Sequence, residues 1–385
     1  MNAPLMIVFT TVLIDLIGFG IVMPILPLWA ETFGASPTEI GLLSASYSLM
    51  QVIFAPLWGR LSDRVGRRPV ILVTLAGSAV SSLLIGVANS LLVLFIARIL
   101  NGISGASYAA AQAYVADVTT REERAKGMGM IGAAFGLGFI LGPGIGAGLS
   151  AIDQSAPFYF AAALAAVNFA LAWARLPESR KPGTVTPHIP RLEQFRRAFA
   201  SRELGPLIGL SFVATFAFVG MESTFALLGD RRFGYDAVDM GLLFVVVGLA
   251  AAASQGGLVG RLVAAHGERP VMLWGLLGTA VGLGLMAAAH QLWLLLIALV
   301  MLGIASGLAF ATLSALISHA APDEEQGGIL GLAASTSGIA RIAGPVTAGA
   351  LFDYVTPGAP LAVGAALMGL CLAFALTRIP RPAAA

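Results

Sequence analysis

Charge is what this chain has least of. Only 11% of its 385 residues are Asp, Glu, Lys or Arg, where a soluble domain carries about 25%. That shortage excludes a strongly charged surface of the kind that grips nucleic acid. Cysteine occurs once, at Cys371, so neither a disulfide framework nor a cysteine-ligated metal site can be assembled. Histidine is also sparse: His188, His266, His290 and His319 are scattered without metal-ligand spacing. There is no phosphate-binding loop and no nucleophile motif, which argues against ATP-driven work and against an enzyme. The first residues hold no Lys or Arg, and the first apolar run reaches Leu28 without a cleavage site. That run is therefore expected to stay as a membrane helix and not to be removed as a signal peptide.

What fills the chain instead is apolar: 58% of its residues are hydrophobic, in long uninterrupted runs. A run of about 20 such residues spans the hydrocarbon core of a bilayer. Twelve can be placed, at about 5–28, 38–58, 70–88, 91–115, 127–150, 157–176, 204–228, 239–259, 270–289, 292–316, 328–352 and 360–377. Residues 177–203 are polar and rich in Pro and Arg, and read as a linker between a first half (1–176) and a second half (204–385). With the N-terminus placed in the cytoplasm, eighteen of the 22 Lys and Arg fall on the inner side and two, Arg231 and Arg232, on the outer. Such a bias puts both termini inside.

The two halves carry related text. Gly59-Arg60-Leu61-Ser62-Asp63-Arg64-Val65-Gly66-Arg67-Arg68-Pro69-Val70 matches Gly260–Val271 at seven of twelve positions, without gaps, at an offset of 201. At an offset of 202, Gly129, Gly136 and Gly142-Pro143 match Gly331, Gly338 and Gly344-Pro345. The fifth and eleventh spans are therefore equivalent, and six helices repeated in parallel is a transporter architecture.

Three of these features resemble signature motifs of the major facilitator superfamily: the Gly59–Val70 segment, Arg98 in the fourth span, and Gly138-x3-Gly142-Pro143-x2-Gly146 in the fifth. Two further stretches, Asp15-x2-Gly18-Phe19-Gly20-Ile21-Val22-Met23-Pro24-x2-Pro27 and Leu49–Pro56, are similar to the drug:proton antiporter branch around bacterial tetracycline efflux proteins. The resemblance covers essentially the whole chain. It implies an all-α fold of twelve transmembrane helices in two six-helix repeats, in a bacterial-type inner membrane. It does not carry tetracycline itself as the substrate. Tetracycline exporters have acids in the third and ninth spans, and the neighbourhoods of Ser81 and Thr279 here are neutral.

Charges inside a bilayer are costly and mark candidate sites. Asp15 and Glu222 are the acids well inside spans, and Arg98 and Arg341 are the bases. Ser211, Thr215, Phe218 and Glu222 share one face of the seventh span. A carboxyl in an apolar cavity can take and release a proton near neutral pH, as proton coupling requires. The alternative is a structural pair of Glu222 with Arg341 or Arg98. Asp15 either joins the coupling site or ties the first span to a neighbour. Arg98 either snorkels and caps carbonyls or biases a nearby carboxylate. Arg341 could pair an acid or meet an anionic substrate.

Arg98, Asn101, Gly105, Tyr108 and Gln112 form a polar stripe of the fourth span, and Tyr47, Gln51, Phe54 and Trp58 an aromatic stripe of the second. Facing a cavity, these would suit a flat apolar or cationic compound; the other reading is packing. Gly303, Gly307, Phe310 and Ser314 repeat the pattern more weakly in the tenth span. Gly138, Gly142, Pro143 and Gly146 allow dense packing with a kink, and the resemblance adds a pivot against a helix of the other half. Gly59, Asp63, Arg64, Gly66, Arg67 and Arg68 form either a basic inner loop or a latch in which Asp63 faces a helix N-terminus or a nearby Arg. Its counterpart in the second copy is Ala264, so any latch is one-sided.

These readings converge on a proton-coupled secondary transporter exporting small amphipathic drugs by alternating access. It is expected to work as a monomer in the lipid bilayer, with protons as coupling ion and no cofactor. A metabolite exporter or proton symporter is the alternative within transport. A lipid translocator or a transporter-like receptor stands further off.

Overall fold

The computed structural model describes residues 3–105, 107–119, 121–179, 201, 203–322 and 325–379. Every described element is helical. The physical reason is the solvent: lipid offers no hydrogen-bond partner, so a spanning backbone must satisfy its own N–H and C=O groups. The helices are α1 (Ala3–Glu31), α2 (Pro37–Val65), α3 (Arg67–Gly86), α4 (Leu91–Ser104), α5 (Ser107–Val118), α6 (Arg121–Ser150) and α7 (Ala156–Arg175). After residue 203 come α8 (Leu204–Phe233), α9 (Ala237–Ala253), α10 (Val259–His266), α11 (Glu268–Ala288), α12 (Leu292–Ala320), α13 (Gln326–Tyr354) and α14 (Ala359–Arg378). Eleven described helical segments are long and apolar enough to cross a membrane, one of them running through α9 and α10, and Leu91–Ser104 is a shorter apolar helix. With α4 and α5 taken together, the twelve expected spans are all present. Of the proposed linker, 180–200 and 202 lie outside the described residues.

The chain divides into two compact units. The first holds residues 1–35, 43–187 and 235–245; the second holds 36–42, 188–234 and 246–385. In the first unit α6 runs along α1, and α3 packs on α4 and α7. The second repeats this plan: α13 runs along α8, and α11 packs on α12 and α14. Close approach rests on small residues, as it must where apolar burial gives helices no advantage over lipid. A Cβ on Gly142 would come within 2.6 Å of the Gly20 backbone, and one on Gly344 within 2.9 Å of the Phe216 carbonyl.

Two helices are split between the units. The first turns of α2 lie in the second unit, where the Asp353 carboxylate of α13 accepts from Thr38 N at 2.8 Å and from the Thr38 hydroxyl. A Cβ on Gly41 would strike the Pro345 carbonyl. The first turns of α9 lie in the first unit, where a Cβ on Gly241 would come within 2.8 Å of the Pro143 carbonyl of α6. Both split helices carry a breaker further along. It is Pro56 in α2 and, at the aligned place, a π-helical turn over Ser254–Leu258 between α9 and α10.

Three expectations are corrected. The charged segment 59–70 is not a loop: α2 continues to Val65, a single residue, Gly66, makes the turn at φ 103°, and α3 begins at Arg67. Gly267 does the same for the second copy at φ 81°. The fourth span is not one helix but α4 and α5, broken after Ser104. Gln51 Nε2 donates to the Gly105 carbonyl at this break, at 3.1 Å. Finally, Gly138, Gly142 and Gly146 face Leu16, Gly20 and Ile21 of α1 in their own half. The face of α6 toward α9 is made instead by Pro143, Gly144 and Ala147.

Candidate functional site

Chemistry-bearing residues gather in three places, two in the first unit and one in the second. The first surrounds Arg67. Its guanidinium is buried and meets three acceptors: Asp63 Oδ1 at 2.8 Å, Asp117 Oδ2 at 3.0 Å and Ser62 Oγ at 2.6 Å. Asp63 and Arg67 stand one helical turn apart in sequence, yet the turn at Gly66 separates their helices. Glu178, just beyond α7, accepts from the backbone N–H groups of Arg67 and Arg68 at 2.8 and 3.1 Å. A carboxylate there satisfies orphan donors and sits at the positive end of the α3 dipole. Gly66 is needed twice over, for its positive φ and because a Cβ would run into Glu178. Arg68 Nη2 donates to the Trp173 carbonyl at 2.6 Å, near the end of α7.

The second copy of the motif keeps that last function alone. Arg269 donates to the carbonyls of Ile379 and Leu376 at the end of α14, at 2.9 and 3.3 Å. The shared Arg-Pro pair thus caps the sixth helix of each repeat. Sequence reasoning missed this, though the identity of Arg68-Pro69 with Arg269-Pro270 was a usable signal. Where the first copy has Arg67 among acids, the second has Glu268 beside His319 Nδ1 at 3.2 Å. Arg64 is exposed, and a Cβ on Gly59 would meet open space. The expectation of a nearby Arg for Asp63 is met by Arg67. Asp63→Asn should leave the fold intact, since Arg67 keeps Asp117 and Ser62, but slow transport at normal protein level. Transport as fast as wild type in a vesicle assay would remove the latch role.

The second place is a cavity inside the first unit, lined by Asp15 and Phe19 of α1, Tyr47 of α2, Ser78 and Ser82 of α3, and Arg98 and Asn101 of α4. Arg98 is only 7% exposed, so its head does not snorkel out to the interface. Its guanidinium lies 4.4 Å from the centre of the Tyr47 ring, and Phe19 stands 5.7 Å from the same ring. Asn101 Nδ2 donates to Ser81 Oγ at 2.9 Å. Gln51 donates to Tyr47 Oη at 3.3 Å, and Trp58 Nε1 to the Ile103 carbonyl at 2.7 Å. Half of the aromatic stripe therefore packs on α4, and Tyr47 faces the cavity. Phe54 is partly buried on α2 and does not line this cavity. The side chains of Tyr108 and Gln112 lie outside the described residues.

The third place is the α8 stripe in the second unit. Glu222 is 8% exposed, and no salt bridge to it is found among the described residues. Arg341 of α13 is exposed. Thr215 Oγ1 donates to the Ser211 carbonyl at 2.8 Å and lies 3.5 Å from Ser337 Oγ. Phe218 meets Phe310 of α12 edge-on at 5.7 Å. Phe218 thus brings Phe310 of α12 against the α8 stripe that holds Thr215 and Glu222. Arg98 and Asp15 belong to the first unit.

The family model of the Major Facilitator Superfamily matches residues 8–263 and 256–385. The chain belongs to that superfamily. Among curated relatives, this facilitator is 34% identical to the class E tetracycline resistance protein of Escherichia coli, over 92% of its own length and 89% of the relative's. It is 30% identical to multidrug resistance protein 1 of Bacillus subtilis, over 91% and 90% of the two chains. Among solved structures, the human organic anion transporter MFSD10 superposes with a TM-score of 0.73 at 26% identity, covering 97% of this facilitator and 99% of that chain.

Proposed function

We propose that this facilitator exports small amphipathic drugs in exchange for protons. Glu222 is the observation that carries the reading. It is a carboxyl enclosed in a membrane helix, without a salt bridge to lock it, on the same face as Thr215 and Phe218. A group so placed changes charge without a salt bridge to break, and each change alters the field that its neighbours and a bound cargo feel. Arg341 biases that change, and Asp15 is the second candidate carrier. The drug-resistance relatives support the substrate class and the outward direction. The excess of Lys and Arg on the side of Arg60–Arg68 supports cytoplasmic termini. The chain acts as a monomer, needs no cofactor, and moves its cargo by alternating access in the inner membrane.

The test is a panel of amphipathic drugs offered to purified protein in liposomes under an imposed pH gradient. Uptake of at least one compound against its gradient, collapsed by a protonophore, is the expected result. Uptake insensitive to the protonophore would overturn the coupling. Movement of lipid alone would point to the translocator reading.

A further inference from the structure

Arg98 has an unmet need. Its charge is more than nine-tenths buried in a membrane-embedded bundle. Among the described residues its Nε has no hydrogen-bond partner and no carboxylate closes an ion pair with it. The contact it does have is the face of the Tyr47 ring at 4.4 Å. A ring face attracts a cation but accepts few of the five N–H donors of a guanidinium. A buried charge left in that condition is expensive unless something else supplies the acceptors. The space in front of it is a cavity whose wall Arg98 shares with Phe19, Tyr47, Ser78 and Ser82.

We infer that this cavity is a binding subsite for the anionic oxygens of a substrate, with Arg98 as the residue that receives them. The inference rests on the exporter reading and names a class of cargo for it: aromatic compounds bearing a carboxylate. Each part of that class has a counterpart in the cavity wall. The planar fork of Arg98 matches the geometry of a carboxylate. Ser78 and Ser82, each under 10% exposed, line the same cavity and bring two hydroxyl groups to its wall. Phe19 and Tyr47, 5.7 Å apart, offer ring faces and edges to the aromatic part. Asp15 lines the same cavity and has contacts of its own. Arg98 in this role is a specificity-determining residue, distinct from the proton carrier Glu222 in the other unit.

The experiment compares a fluorescent xanthene dye that carries a free carboxylate with the methyl ester of the same dye. Binding is read by fluorescence anisotropy on purified protein, without any gradient. Wild type should bind the acid more tightly than the ester. Arg98→Gln should weaken the acid by about 10- to 100-fold, the range for losing a hydrogen bond to a charged group, and leave the ester unchanged. Arg98→Lys should fall between, because it keeps the charge without the fork. Should Arg98→Gln fail to fold, wild type alone decides the matter: benzoate should displace the acid dye, and methyl benzoate should not. Equal binding of acid and ester, or equal loss of both in Arg98→Gln, would overturn the subsite. Failure of the exporter reading would appear elsewhere, as absence of protonophore-sensitive uptake, with the binding preference intact.

Discussion

In inverted vesicles energised by a pH gradient, Glu222→Gln protein should no longer accumulate substrate. One pH unit is worth about 1.4 kcal/mol per proton, or about tenfold in the concentration ratio that a one-proton exchanger sustains. Wild type should approach that ratio, and the variant should level off near unity. The amide keeps the size and polarity of the carboxyl while removing its proton chemistry, so substrate exchange without a gradient should survive. The buried position of Glu222 makes the prediction sharp, because among the described residues no salt bridge is lost with it. Undiminished accumulation would move the proton to another group, and Asp15 would be the next to replace.

Gly142→Val should have the largest effect on the protein itself. A Cβ at this position would sit 2.6 Å from the Cα and carbonyl carbon of Gly20, which are backbone atoms of α1 and cannot turn aside as a side chain does. The valine therefore forces α1 and α6 apart. Overpacking costs about 1–3 kcal/mol where neighbours can adjust, and more where they cannot. A marked drop in the thermal midpoint in detergent, with less protein in the membrane, is the expected outcome. Gly136→Val is the control, since a Cβ there meets open space on the same helix. Equal stability of the two variants would mean that the α1–α6 contact does not govern stability.

The contrast between these glycines marks what could be read in the chain beforehand. Apolar runs of spanning length and the repeated Gly-Arg-Leu and Arg-Pro-Val words disclosed the helices and their duplication, because the bilayer leaves an apolar segment few choices. Helical spacing likewise grouped Thr215, Phe218 and Glu222 correctly on one face. Periodicity states which residues share a face, however, and not what stands opposite. Nine glycines of the fifth span looked alike in sequence; only the structure separates Gly142, which touches backbone, from Gly136, which touches nothing. The break at Gly105 was hidden because the polar stripe runs straight through it at helical spacing. The carbonyl at the break accepts from Gln51, 54 positions earlier. Glu178 was hidden for a similar reason, since its partners are backbone donors 111 and 110 positions away. Arg98 was legible as a membrane charge, but its lack of an acceptor is a property of what surrounds it.

The split of α2 and α9 has a consequence for how the molecule is put together. Each unit contains one short helical segment that the chain supplies from the opposite side of the sequence: 36–42 in one case and 235–245 in the other. The two bodies have in effect traded segments, as subunits of a swapped dimer do. A fragment ending near residue 176 would therefore leave Thr38 and Gly41 without Asp353 and Pro345, and Pro143 without Gly241. Neither six-helix half is a complete folding unit, and a protein made as two pieces would have to complete each piece with the other.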